Sequence, residues 1–208
     1  MHASRPSRRF ESAWRRKGCA CVAGVDEAGR GCLAGPVTAA ALVLPARPPR
    51  GIDDSKRLAP HVREALFHAL EMAGARFAWA CVEAEEIDRL NIRRASFLAM
   101  RRALEALPEA PGAVLVDGFE IPRLPLPQQA LVHGDARCLS IAAASIVAKV
   151  ARDRLMLELD RRFPQYGFAH HKGYPTPGHL EALQRHGPSP VHRRSFAPVR
   201  QLIEISLF

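Results

Sequence analysis

Ala23-Gly24-Val25-Asp26-Glu27-Ala28-Gly29-Arg30-Gly31 is the stretch on which the reading of this chain turns. An apolar segment ends in two adjacent carboxylates and runs straight into a Gly-Arg-Gly turn. Charged groups beside a buried sheet are costly unless a cation or a proton partner stands with them. The turn supplies glycine backbones open to close approach and a guanidinium suited to phosphate. A hard metal ion and a nucleic-acid backbone would account for both halves at once.

Working outward, residues 21–25 read as a short strand ended by Asp26 and Glu27, and residues 35–44 as a second strand after a Gly-Pro turn. Residues 76–82 read as a third, with Phe77, Trp79 and Cys81 on one face. Short turns between the three suggest an antiparallel start. Pro60 opens a helix to residue 72, and residues 85–107 are helical in two pieces that break near Asn91. The AVLV run at 113–116 is a buried strand leading into Asp117-Gly118, and residues 130–132 are another, leading to Gly134-Asp135. A long helix over 141–163 and a shorter one over 177–186 follow. The alternation gives an α/β fold.

With 208 residues and 48% hydrophobic content the chain can bury one substantial core. Residues 19–208 are expected to form that single domain. Residues 1–18, carrying Arg5, Arg8, Arg9, Arg15, Arg16 and Lys17, are expected to be a basic arm or a loosely attached helix. Thirty Lys and Arg against 21 Asp and Glu leave a formal net charge of +9, which favours polyanionic partners. The five cysteines are an odd, scattered set without zinc-finger spacing, so reduced thiols and a cytoplasmic location are expected. No apolar run approaches membrane-spanning length, and the basic N-terminal segment lacks the apolar core of a secretory signal.

The acids fall where chemistry would need them. Asp26, Glu27, Asp117 and Asp135 all follow apolar strands, and ligand sites in α/β sheets gather at the carboxyl ends of strands. Clustered carboxylates repel unless protons or cations intervene. Mg²⁺ or Mn²⁺ prefers such oxygen ligands. Two ions ~4 Å apart would activate water and stabilise the leaving oxygen of a phosphodiester. A plainer reading stands beside each acid: Asp117-Gly118 is also a turn signal, and Asp135 could simply cap the next helix. Asp153, between Arg152 and Arg154, reads as a structural ion-pair partner.

These pieces, in this order, resemble the ribonuclease HII family from Val22 to Val199. The resemblance is carried by Gly24–Gly31 with Leu33-Ala34-Gly35-Pro36-Val37, Asp54-Ser55-Lys56-Arg57-Leu58, Asn91-Ile92, Val116-Asp117-Gly118 and Gly134-Asp135-Ala136-Arg137. It continues through Ser140–Val150, Arg152-Asp153, Phe163–Phe168, His171-Lys172-Gly173-Tyr174-Pro175-Thr176 and His192–Val199. It implies an RNase H-like fold, a five-stranded mixed sheet flanked by helices with a helical C-terminal extension. It implies a monomeric, two-metal-ion endonuclease that hydrolyses the RNA strand of RNA–DNA hybrids. Incision 5′ of a single ribonucleotide in duplex DNA, leaving 3′-hydroxyl and 5′-phosphate ends, is also implied.

Carried onto this sequence, Asp26, Glu27, Asp117 and Asp135 are the catalytic acids, with Asp26, Glu27 and Asp117 as metal ligands. Gly29, Arg30 and Gly31 would read the 2′-hydroxyl, the group that alone separates RNA from DNA at one nucleotide. Tyr174 would pack on the sugar beyond the ribonucleotide. Lys56 and Lys149, with Lys172, Arg193 and Arg194, would neutralise phosphates. Two departures stand out: Cys32 occupies a place where proline is usual, which predicts a less rigid turn, and Arg137-Cys138 replaces a frequent Lys-Ser pair. A junction resolvase and a non-catalytic nucleic-acid-binding protein are the competing classes. Residues 201–208 are compatible with a sliding-clamp peptide or with an apolar tail packed on the domain.

Overall fold

The computed structural model describes residues 5–205. Five strands, β1 (Val22–Ala28), β2 (Val37–Val43), β3 (Arg76–Val82), β4 (Ala113–Asp117) and β5 (Gln128–Leu131), form one sheet in the order β3-β2-β1-β4-β5. β1, β2 and β3 pair antiparallel, and β1–β4 and β4–β5 pair parallel. The antiparallel start is as expected, although only β1 and β2 have a short connection; residues 44–75 between β2 and β3 include a helix. β1 and β4 are far apart in sequence with helices between them, whereas β4 reaches its parallel neighbour β5 through residues 118–127, which carry no helix.

Period-two alternation gives the sheet two apolar faces. Ala23, Val25, Ala39, Ala41, Val43, Val114 and Val116 pack beneath α3 (Ala84–Leu90) and α4 (Ile92–Glu105). Ala40 and Leu42 face α2 (Pro60–Met72) and α5 (Leu139–Arg162) on the other side. α3 and α4 are separate because Asn91 sits at φ 70°, breaks the first helix and caps the second through Arg94 N–H.

α5 is the central pillar. Its residues are buried almost all round from Ser140 to Ala148, so it packs as an internal helix rather than an amphipathic one. It can sit directly on β1 because residue 24 is glycine: a Cβ there would overlap the backbone of Ser140 and Ile141. The shorter α6 (Phe168–His171), α7 (Pro177–His186) and α8 (Ala197–Ile205) complete the C-terminal part. In α8, Leu202 and Ile203 pack beside Leu33, Leu183 and Val199. Of the stretch 201–208, positions 206–208 lie outside the described residues.

The segment read as a basic arm carries α1 (Arg9–Arg16), and this helix is docked. Glu11 is buried, and its Oε1 accepts Ser140 N–H at 2.7 Å and the Cys138 thiol at 3.2 Å. A carboxylate thus caps the N-terminus of α5, where orphan N–H groups and the helix dipole favour negative charge. Burial, followed by this carboxylate, pushes the Cys138 thiol up to about 12. The cationic side chains hide the anchor from a reading of charge alone: Arg9, Arg15, Arg16 and Lys17 are exposed while Glu11 is not. Glu11→Ala should lower stability by about 1–3 kcal/mol, because Ser140 N–H loses its acceptor in a buried place. Urea unfolding checks this through a lower midpoint at an unchanged slope.

Candidate active site

The parallel pairing of β1 with β4 builds the site. Val25 lies opposite Val116, so the next residues along both strands are Asp26 and Asp117. Both strands run on through these acids instead of stopping before them, as the shorter sequence-predicted strands had it. Alternation then sends Asp26 and Asp117 to the α5 face, side by side. Asp135 arrives from the 3-10 turn Gly134–Ala136 that precedes α5. One carboxylate oxygen from each of the three lies within 4.8 Å of the others.

Glu27 takes the opposite side of the strand and is not in this triad. Its Oε1 holds the Arg30 guanidinium at 3.0 Å, while its buried Oε2 has no hydrogen-bond partner. Together with Asp117, Arg30, Arg93, Ser96, Phe97, Met100 and Phe119 it lines a narrow crevice against α4. The resemblance named Asp26, Glu27 and Asp117 as metal ligands; the acid that lies within 4.8 Å of Asp26 and Asp117 is Asp135.

Burial, then the charges of Glu27, Asp117 and Asp135, raises Asp26 well above the carboxylate range. Burial and Asp135 raise Asp117, against the hydrogen bond that Gly134 N–H donates to its Oδ1 at 2.7 Å. Burial raises Glu27, and Arg30 offsets part of that. One cation enters the triad from the protein: Lys56 Nζ lies 3.1 Å from Asp135 Oδ2. Burial alone would lower this ammonium's pKa; Asp135, with Asp26 and Asp54, overrides it and raises it. Three acids against one exposed lysine leave room and charge for hard cations, and all-oxygen donors are the set such ions select.

The Gly29–Gly31 turn flanks the acids. Gly29 has φ +91°, and a Cβ there would overlap the Arg152 guanidinium, so glycine is required twice over. Two fully buried arginines brace this region through backbone carbonyls. Arg152 donates to Ala34, Pro36 and Lys172, and Arg193 to Arg30 and Gly35. Arg193, expected at a phosphate, is therefore enclosed instead, with Nε and Nη1 on carbonyls and a buried Nη2 without a hydrogen-bond partner among the described residues. Burial draws its pKa down to about 10. Cys32 is buried, and burial raises its thiol pKa above the ordinary value.

Tyr174 itself is exposed beside the turn, with Lys149 Nζ 5.9 Å from its ring. Lys149 is tied to Asp153 at 2.6 Å, and Asp153 also faces Arg63 at 3.4 Å. Asp153 is thus an ion-pair partner, though of Lys149 and Arg63 and not of its sequence neighbours. Sequence reasoning passed over Phe119 and Arg93. Phe119 is exposed at the crevice mouth with the Arg93 guanidinium 5.4 Å from its ring, and its one signal is an aromatic two positions past Asp117.

The mixed sheet in this order, with helices on both faces, is the RNase H-like fold. It superposes on the ribonuclease H2 of Pyrococcus horikoshii OT3 with a TM-score of 0.74 at 28% identity, covering 89% of this chain and 98% of that one. The ribonuclease HII family model matches residues 23–199. The ribonuclease HII of Geobacillus kaustophilus (strain HTA426) is 54% identical over 200 residues, 95% of this chain and 76% of its own length. That of Paracoccus denitrificans (strain Pd 1222) is 56% identical over 202 residues, 95% of each. The chain belongs to the ribonuclease HII family, a hydrolytic nuclease family that degrades RNA in RNA–DNA hybrids.

The raised carboxyls carry a stability consequence. A carboxyl whose folded pKa lies above its unfolded value adds stability that is full below the unfolded value and lost as pH rises through the folded one. At neutral pH the Asp26 and Asp117 carboxylates therefore oppose folding. Asp26→Asn, which keeps an oxygen for Glu27 N–H, should raise the melting temperature of the metal-free protein at pH 7, by about 2–4 °C per kcal/mol of repulsion removed. Scanning calorimetry with a chelator present checks it; a lower melting temperature would show that the Asp26 carboxylate stabilises the fold more than its repulsion opposes it.

Proposed function

We propose that this chain cuts the RNA strand of RNA–DNA hybrids and incises 5′ of a single ribonucleotide embedded in duplex DNA, leaving 3′-hydroxyl and 5′-phosphate ends. The observation that carries the reading is the triad of Asp26, Asp117 and Asp135 within 4.8 Å, next to the glycine turn. Two Mg²⁺ or Mn²⁺ ions would be held by these carboxylates, with Glu27 at the edge, and would supply Lewis-acid activation of water and of the leaving oxygen. The residues do the rest. Gly134 N–H fixes the Asp117 carboxylate, and Lys56 fixes that of Asp135. The bare backbone at Gly29 and Gly31 lets main-chain groups reach a 2′-hydroxyl.

Arg30 is engaged by Glu27 and stands ready to exchange that carboxylate for a phosphate. Tyr174 lays its exposed ring against the neighbouring sugar, and a sugar without a 2′-hydroxyl fits there. Lys149 and Lys56 add positive charge along the strand. The nucleic-acid partner accords with the +9 charge. The five free thiols accord with a reducing, cytoplasmic setting.

Two measurements test the reading. Asp117→Asn should cut a duplex bearing one ribonucleotide at least ~10³-fold more slowly, about 4 kcal/mol of transition-state stabilisation, while circular dichroism and duplex binding are kept. Near-wild-type cleavage in Mg²⁺ or Mn²⁺ would remove the acids from the chemistry. Tyr174→Ala should lower kcat/KM on the single-ribonucleotide duplex about tenfold more than on a continuous hybrid, a difference of ~1.4 kcal/mol. Equal losses on both substrates would deny Tyr174 a sensing role.

A further inference from the structure

Behind Tyr174 lies a chain of buried histidines that the acid site does not use. His179 and His192 are enclosed, with their Nε2 atoms 3.1 Å apart. His192 Nδ1 receives the Ser189 backbone N–H at 3.0 Å. His179 Nδ1 stands 2.9 Å from the Tyr174 carbonyl oxygen.

The contacts fix the protons. A backbone N–H only donates, so His192 Nδ1 must be bare and its proton sits on Nε2. That Nε2–H points at His179 Nε2, which must therefore accept. The His179 proton is then on Nδ1 and is donated to the Tyr174 carbonyl. A proton added to either ring would set two donors face to face, so both rings are neutral. Burial agrees in direction, drawing both below the ordinary histidine value and His192 to about 4. Around the pair stand Tyr166, Phe168 and His171, the last stacked on His179 at 4.2 Å. Burial draws His171 below the ordinary histidine value as well. His171 is fixed in the same way, accepting Gly173 N–H on Nδ1 and donating from Nε2 to the Tyr166 carbonyl.

Tyr174 is thus held from within. Its N–H donates to the His171 carbonyl, and its own carbonyl takes both His179 Nδ1–H and Thr176 N–H. Ser189 is buried with its Oγ 2.8 Å from His192 Nδ1, so it serves as the far anchor and not as a nucleophile.

We propose that His179, locked in one tautomer by His192 and Ser189, is a positioning residue for Tyr174 and so tunes discrimination between an embedded ribonucleotide and a continuous hybrid. The second half rests on the sensing role proposed above for Tyr174.

The first test needs no variant. Long-range ¹H–¹⁵N spectra of the ¹⁵N-labelled protein should show His179 protonated on Nδ1 and His192 on Nε2, both titrating below the ordinary histidine value. Other tautomers, or titration near the ordinary ~6.5, would overturn the relay. The second test uses kinetics. His179→Leu should lower the ratio of kcat/KM on the single-ribonucleotide duplex to that on the continuous hybrid about tenfold. His179→Asn, which keeps a donor near the Nδ1 position, should restore it to within about twofold. If Tyr174→Ala changes the ratio and His179→Leu does not, the positioning role falls. If neither changes it, the Tyr174 reading falls, and amide exchange at Tyr174 then decides positioning alone: faster exchange in His179→Leu supports the anchor, and unchanged exchange refutes it.

Discussion

Repulsion among three carboxylates is the constraint around which the molecule is arranged. Asp26, Asp117 and Asp135 sit within 4.8 Å of one another, and Asp26 and Asp135 are buried. No loop could hold them so close unaided. Two rigid parallel strands supply Asp26 and Asp117, and a turn locked onto the start of α5 supplies Asp135. The electrostatic cost is borne by the core on both faces of the sheet. It is also the source of the affinity for cations on which the proposed chemistry depends.

The support extends outward in layers of hydrogen bonds. Glu11 caps α5, α5 sits on the bare backbone of Gly24, and Gly134 N–H holds Asp117. On the other flank, Arg152 and Arg193 gather the carbonyls of Arg30, Ala34, Gly35, Pro36 and Lys172. Two loops distant in sequence, the glycine turn and the Tyr174 segment, are thereby fixed to one another and to the acids. A buried guanidinium held by carbonyls is a stiff clamp, because losing a contact leaves more of its charge unpaired in an apolar interior.

Much of this was legible in the chain. Apolar runs marked the five strands, though the fifth is Gln128–Leu131 and not 130–132, and Asn91 marked the break between α3 and α4, because apolar runs and turn chemistry are local. Asp26 stood out because two adjacent acids end an apolar run, whereas Asp117 alone read as a turn signal and took its place from the order of the motifs. The docking of α1 was not legible, since Glu11 lies among cations and its partner, Ser140 N–H, is 129 positions away. Nor was the enclosure of Arg193, whose neighbours in sequence read as a basic surface.

By itself the sequence determined which residues could do chemistry: the acids, the glycines that admit a close-approaching backbone, and the apolar segments that must be covered. Register and burial were decided only in three dimensions. Pairing Val25 with Val116 sets Asp26 beside Asp117 and turns Glu27 away, although Glu27 is the nearest acid in the chain. Only packing makes His179 and His192 neutral partners, because a tautomer is fixed by what faces each ring nitrogen. A linear chain specifies groups; the distances between them, and hence their charges and protons, belong to the fold.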